Sequence, residues 1–180
     1  MREVAAPSGE TPGDQLVTEE RAGALWTWRT PVRGLGPATV FDLDGVLSDG
    51  SARHHHLQGP NPDWESFLAG VGEDPVIEEV ASLLALLDPS LAVVLLTGRP
   101  ARVRDVTLEW LLRNQLRWDL LVMRRDGDYR PASHFKQDAA RALRNEGFEV
   151  KLCFEDDKRT VEILRQAGLP TMYVHSGYYD

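Results

Sequence analysis

Cysteine is nearly missing: Cys153 stands alone in 180 residues. A single thiol can close no intrachain disulfide and build no thiolate metal cluster. Long apolar runs are missing too, for none approaches the ~18 residues that cross a bilayer as a helix. The first residues hold no hydrophobic stretch of the secretory kind, so the chain reads as cytoplasmic, with no membrane partner. Positive charge is in deficit: Lys and Arg number 20 against 28 Asp and Glu, a net charge of −8. That balance speaks against a general affinity for nucleic acid or anionic membrane. No internal repeat is present, and no partner protein is legible.

The charge is unevenly spread. Residues 1–98 hold 5 basic and 15 acidic side chains, whereas residues 99–144 hold 11 and 6. Such a basic middle segment suits either solvated helix faces or a surface that meets an anionic substrate. Hydrophobic residues make up 42%, enough for a core, and the length suits one domain with a tail. Residues 1–35 read as a flexible N-terminal tail. The first fourteen are rich in Pro, Gly and charge. A short helix is predicted over 15–28, with Trp26 and Trp28 only packing on the domain. "TPVRGLGP" then breaks the chain ahead of a domain over 36–180.

Within that domain strands and helices alternate. Strands are predicted at 38–42, 91–96 ("LAVVLL"), 119–123 ("DLLVM"), 148–156 ("FEVKLCFED") and 171–174 ("TMYV"). Helices fill the gaps, one of them opened by Asp74 as N-cap with Pro75 at the first helical position. About five parallel strands with helical crossovers imply an α/β, doubly wound sheet. Such sheets bind ligands beyond the carboxyl ends of their strands. Those ends carry Asp42 and Asp44; then Thr97, Gly98 and Arg99; then "RRDGDYR" with Lys136 in the next helix; then Glu155, Asp156 and Asp157.

Carboxylates that converge are costly unless a cation neutralises them. Hard oxygen donors favour Mg²⁺ over zinc or copper. Thr97 and the backbone at Gly98 can donate to phosphate oxygens, and Lys136 adds a point charge. Together these groups describe phosphoryl transfer, where positioning and charge stabilisation dominate. One carboxylate can act as nucleophile while its neighbour acts as general acid.

"VFDLDGVL", "LLTGRP", Lys136 and "FEDD", in that order, resemble the four signature motifs of the haloacid dehalogenase superfamily. The resemblance implies Asp42 as nucleophile, forming an aspartyl-phosphate, and Asp44 as general acid and base. Thr97 becomes the phosphate-binding hydroxyl and Lys136 the motif lysine. Mg²⁺ is implied on Asp42, the Asp44 carbonyl and the acidic pair Asp156 and Asp157. A finer resemblance, carried by "RHHHL", "PDWESF", "TGRPARVRDVTLEWL", "DLLVMRRDGDYRP" and "EDDKRTVEILRQAGLP", is to the phosphatase domain of polynucleotide kinase-phosphatases. It implies a polynucleotide 3′-phosphatase of nucleic-acid repair, with Arg53 and Arg99 binding the phosphate or nucleic-acid end. No GxxxxGK[ST] loop occurs, so the kinase half of such proteins is missing from this sequence. The motif spacing leaves no room for a large inserted cap, so an open site is expected. Arg124 and Arg125 are then either phosphate contacts on a nucleic-acid end or nucleotide, or a solvated loop.

Plainer readings compete at several positions. A nucleotidase or general small-molecule phosphatase fits the same motifs. A receiver-like, phospho-regulated binding module also uses an acidic pair, a phospho-acceptor, a hydroxyl and a lysine, but there the pair comes first. A calcium loop fails because Val46 fills its third acidic position. His54, His55 and His56 are consecutive and form a poor metal tripod. Trp110 and Cys153 read as core, and Trp64, in a polar stretch, reads either as surface or as a base-stacking residue.

Overall fold

The structure is a computed structural model describing residues 16–29 and 36–179. One seven-stranded sheet runs through it. Its strands are β1 (Val17–Arg21), β2 (Ala24–Trp28), β3 (Pro37–Phe41), β4 (Ala92–Pro100), β5 (Leu120–Arg124), β6 (Glu149–Glu155) and β7 (Thr171–Tyr173), in the spatial order β1-β2-β5-β4-β3-β6-β7. The five strands from β3 to β7 are mutually parallel, as expected. From β3 the chain steps outward one way to β4 and β5, then returns to the other side for β6 and β7. The topological switch therefore lies at the carboxyl end of β3, where Asp42 and Asp44 stand.

Buried strands expose both faces to helices, and their residues divide accordingly. Ala92, Val94 and Leu96 join one core with Phe135, Ala139, Leu143 and Leu164. These come from α5 (Ala132–Asn145) and α6 (Lys158–Gln166). Val93 and Leu95 join the other core with Val80, Leu84, Trp110 and Leu111. These come from α3 (Glu78–Leu86) and α4 (Arg104–Arg113). Between β3 and α3 stand only two short α-helices, α1 (Ser51–His54) and α2 (Trp64–Ala69), with a 3₁₀ turn at His55–Leu57. No cap domain covers the switch point among the described residues.

The helix expected over 15–28 is instead a β-hairpin. Ala22 and Gly23 both take positive φ (49° and 77°), and Arg21 pairs directly with Ala24. That is a two-residue turn whose twist suits a hairpin. Ala24, Trp26 and Thr27–Trp28 are buried while β1 is largely exposed. β2 pairs antiparallel with β5, and Trp26 and Trp28 are part of the core rather than ornaments on it. The period-two pattern of Ala24, Trp26 and Trp28 was the signal for a strand. The flexible tail expected over the first residues lies outside the described residues.

Asp74 is the other correction. α3 begins four residues later, capped at Ile77 without a side-chain bond. Asp74 is buried at 8% exposure and serves the site instead.

Candidate active site

Asp42 follows the last residue of β3, and its carboxylate is fixed from two sides. Lys136 Nζ lies 2.6 Å from Asp42 Oδ2, and the Leu43 N–H donates to Oδ1 at 2.8 Å. Lys136 projects from α5 and also reaches Glu155 Oε2 at 2.6 Å, so one ammonium serves two buried carboxylates. Burial pushes Asp42 up from the usual carboxylate range, and the Lys136 charge opposes that rise. Burial likewise disfavours the Lys136 charge, but Asp42 and Glu155 outweigh it and hold the ammonium above its ordinary range.

Asp44 is gripped by two arginines. Arg99 donates from Nη2 to Oδ1 at 2.8 Å and from Nε to Oδ2 at 3.1 Å, and Arg53 Nη2 donates to the same Oδ1. Burial alone would raise Asp44, but the charges and hydrogen bonds of Arg99 and then Arg53 hold it down to about 2. Asp74 braces both arginines from behind. Its Oδ1 accepts from Arg53 Nε at 2.8 Å, and its Oδ2 accepts from Arg53 Nη2 at 2.6 Å and from the Ser48 hydroxyl at 2.5 Å. Arg99 Nη2 donates to Ser48 Oγ at 2.9 Å and stands 3.5 Å from Asp74 Oδ2. The carbonyl of Asp74 is tied to Trp110 Nε1 at 2.7 Å. Two cations and two carboxylates thus balance in a nearly dry cluster, as buried charges must. Gly50 lets Arg53 lie this close, since a Cβ there would stand 2.9 Å from its Nη2.

The acidic end of β6 divides its tasks. The ligand atoms of Asp42, Glu155 and Asp156 can all lie within 4.8 Å of one another. Glu155 is already committed to Lys136 and to the Asp157 N–H at 3.2 Å. Asp157, expected to share the metal, caps α6: it accepts from Arg159 N at 3.0 Å and from Thr160 Oγ1 at 2.7 Å. Asp156 Oδ2 is buried with no hydrogen-bond partner. Burial and then the nearby Asp42 push Asp156 up to about 7. A Cβ at Gly45, whose φ is +77°, would fall 2.0 Å from that orphaned oxygen. The glycine therefore both makes the turn and keeps a carboxylate-lined space clear. An unsatisfied buried carboxylate oxygen beside a second carboxylate fits a hard cation such as Mg²⁺, with Asp156 offering the free oxygen and Asp42 standing beside it.

Asp42, Asp44, Gly98, Arg99, Arg124, Arg125 and Lys136 all line one cavity of about 580 Å³. Thr97 stands behind them, fully buried, its Oγ1 accepting from Arg99 N at 3.1 Å. Arg53 is buried behind Asp44, while Arg125 is drawn outward to Glu20 at 3.2 Å. His54 stacks on Tyr178 with ring centres 4.8 Å apart, and the three histidines form no metal group among the described residues. Trp110 and Cys153 are buried, as expected. Sequence reasoning missed Asp74 and Ser48 and left Glu155 without a role. Glu155 adjoined a recognised motif, but nothing local marks Asp74, which meets Arg53 across 21 residues of chain.

A parallel sheet with a strand-end aspartate pair, a lysine and a distal acidic pair defines the chain as a haloacid dehalogenase-type phosphatase. More particularly, it belongs to the family of the polynucleotide kinase PNKP phosphatase domain, whose family model matches residues 36–179. Among solved structures, a chain of the Pnkp1/Rnl/Hen1 RNA repair complex is similar at 28% identity and a TM-score of 0.65, over 78% of this chain and 43% of that one. A second structure of the Pnkp1/Rnl/Hen1 complex matches at the same identity and TM-score, over 78% of this chain and 46% of its own. The present chain thus corresponds to less than half of each of those chains. A haloacid dehalogenase-like hydrolase from Streptococcus pneumoniae shares the fold at 16% identity and a TM-score of 0.51, over 79% of this chain and 90% of that one. No curated protein matches.

Proposed function

We propose that this chain is a Mg²⁺-dependent phosphomonoesterase that removes a 3′-phosphate from a nucleic-acid end through an aspartyl-phosphate on Asp42. The observation that carries the reading is the pairing of Asp42, set against Lys136, with Asp44, set against Arg53 and Arg99, at the mouth of one open cavity. The Lys136 ammonium favours the charged, nucleophilic form of Asp42 against the burial that opposes it, and a carboxyl two residues on reaches the leaving group.

Arg99, which lines the cavity, and the backbone at Gly98 bind the phosphate oxygens, while Arg53 holds Asp44 from behind and the Thr97 hydroxyl supports the turn. Asp42 attacks phosphorus and the P–O bond to the sugar breaks; Asp44, which the arginines hold ionised in the free protein, first takes up a proton from solvent and then gives it to the departing oxygen. A water then attacks the phosphorus of the Asp42 ester. Asp44 takes that water's proton, the bond to Asp42 breaks, and inorganic phosphate leaves. An incoming phosphate dianion gives Arg99 a second partner and so relaxes the grip that keeps Asp44 ionised. Mg²⁺ on Asp42, Asp156 and the Asp44 carbonyl would neutralise the charge that gathers where carboxylates and phosphate meet.

The site's openness supports a polymeric substrate, because among the described residues no cap domain seals the cavity over a small one. Family membership and a relative found in an RNA repair complex support the same substrate class. Phosphate release from 3′-phosphorylated oligonucleotides, 5′-phosphorylated oligonucleotides and mononucleotides, in Mg²⁺ and with EDTA as control, tests it. The 3′ end is expected to be preferred by at least tenfold, with EDTA silencing the reaction. Equal weak release from all three would leave a general small-molecule phosphatase.

A further inference from the structure

Five tryptophans occur in the chain, and four of those side chains are at most 7% exposed. Trp64 is 57% exposed. An isolated exposed apolar residue is ordinary. Trp64 is not isolated, for it lines the active-site cavity together with Leu57, Phe67 and Leu68. Its ring meets Phe67 edge-on, with centroids 5.8 Å apart and planes at 82°. Phe67 in turn lies under the guanidinium of Arg53, 4.1 Å from its ring centre. A chain of contacts therefore runs from Asp44 through Arg53 and Phe67 to Trp64.

The other wall is basic. Arg102 stands where the two walls meet, 3.5 Å from Glu65 of α2 and 3.7 Å from Asp126 in the loop after β5. Beyond it, Arg130 is paired with Asp128 and Asp138, and Arg125 with Glu20. Arg124 forms no ion pair among the described residues. Its guanidinium lies over the Phe135 ring, 5.4 Å from the ring centre, and donates from Nη1 to the Asp128 carbonyl at 3.3 Å, while its Nε is buried without a hydrogen-bond partner. An unpaired guanidinium in a cavity wall is a seat for an anionic oxygen.

Resting on the 3′-phosphatase reading above, we propose that Trp64 is a shelf on which the terminal nucleobase stacks, while Arg124 receives the next phosphodiester along the strand. Stacking on an aromatic face is tolerant of base identity, so the cavity selects a nucleic-acid end without reading its sequence. A small phosphate ester would fill only the inner, arginine-lined part.

The test compares a single-stranded 3′-phosphorylated oligonucleotide with the same strand lacking its terminal base. Both are assayed with the native protein and with the Trp64→Ala and Trp64→Phe variants. The native protein is expected to show a KM about tenfold higher for the abasic end. Trp64→Ala should raise KM about tenfold for the base-bearing end and much less for the abasic one, and Trp64→Phe should restore most of the difference. Equal KM for the two ends in the native protein overturns the shelf, and so does an equal loss on both ends in Trp64→Ala. If no 3′-phosphorylated oligonucleotide is hydrolysed while mononucleotides are, the 3′-phosphatase reading fails, and the shelf fails with it.

Discussion

At the residue scale, the burden of the site falls on charges that balance one another. Asp42→Asn would leave Lys136 paired with Glu155 alone and remove the nucleophile, so turnover is expected to vanish in a single-turnover phosphate assay. Asp74→Asn is more discriminating. It strips a buried carboxylate from between two guanidiniums, a kind of loss that costs roughly 3–5 kcal/mol of stability. It also makes the pocket more positive, which by charge alone would tighten anion binding. If Asp74 positions the arginines, inhibition by inorganic phosphate should instead weaken, by about tenfold; tighter inhibition would show that only charge matters there. If Mg²⁺ binds as proposed, it should raise the melting temperature of the native protein, and Asp156→Asn should remove that rise, because the orphaned Asp156 oxygen is the donor the cation would satisfy. Cys153 offers a simpler check: burial pushes its thiol up to about 12. With almost no thiolate at pH 8, it should resist alkylation until the protein unfolds.

At the scale of elements, the hairpin β1–β2 decides more than its place in the sequence suggests. Trp26 is fully buried, and Trp28 stacks on Phe148 with ring centres 6.0 Å apart. Trp26→Ala should cost about 3–5 kcal/mol in a denaturant titration, as loss of a large core aromatic does. Deleting residues 1–29 should destabilise the domain by more, because it also uncovers the edge of β5. Glu20 of β1 pairs with Arg125, so the hairpin further steadies the end of β5, which bears Arg124. The parallel strands were legible because buried strands read as continuous apolar runs such as Ala92–Leu96. The hairpin was not, since Leu16, Ala24, Leu25 and Trp28 mimic helical spacing over a short window and the Ala22–Gly23 turn carries a weak signal. Only pairing with β5 settles the choice.

At the scale of the molecule, an acidic chain presents a basic, uncapped mouth. The cavity draws Arg99, Arg102, Arg124, Arg125 and Arg130 from the one segment with excess positive charge. KM for a long oligonucleotide should therefore rise steeply with salt, and that for a mononucleotide only slightly, since each phosphate contact releases counterions. Matching salt slopes for the two substrates would count against a backbone track along this wall. No helix among the described residues is long and apolar enough to cross a membrane.

Sequence alone determined the alternation of strands and helices from β3 onward and marked out Asp42 and Asp44 as the pair proposed to react. Asp42 and Asp44 lie two residues apart on an extended chain, and Thr97, Lys136 and Asp156 follow in the order of the family's motifs. Local patterns carry such information because apolar periodicity and short spacings are properties of neighbouring residues. Tertiary structure decided the partners: that Asp74 braces Arg53 and Arg99, that Glu155 shares Lys136 with Asp42, that Asp157 caps a helix, and that Trp64 faces the cavity. These depend on groups brought together across tens of residues by the crossing of strands at the switch point. A buried charge finds its counter-charge in space, and its position along the chain does not reveal which one.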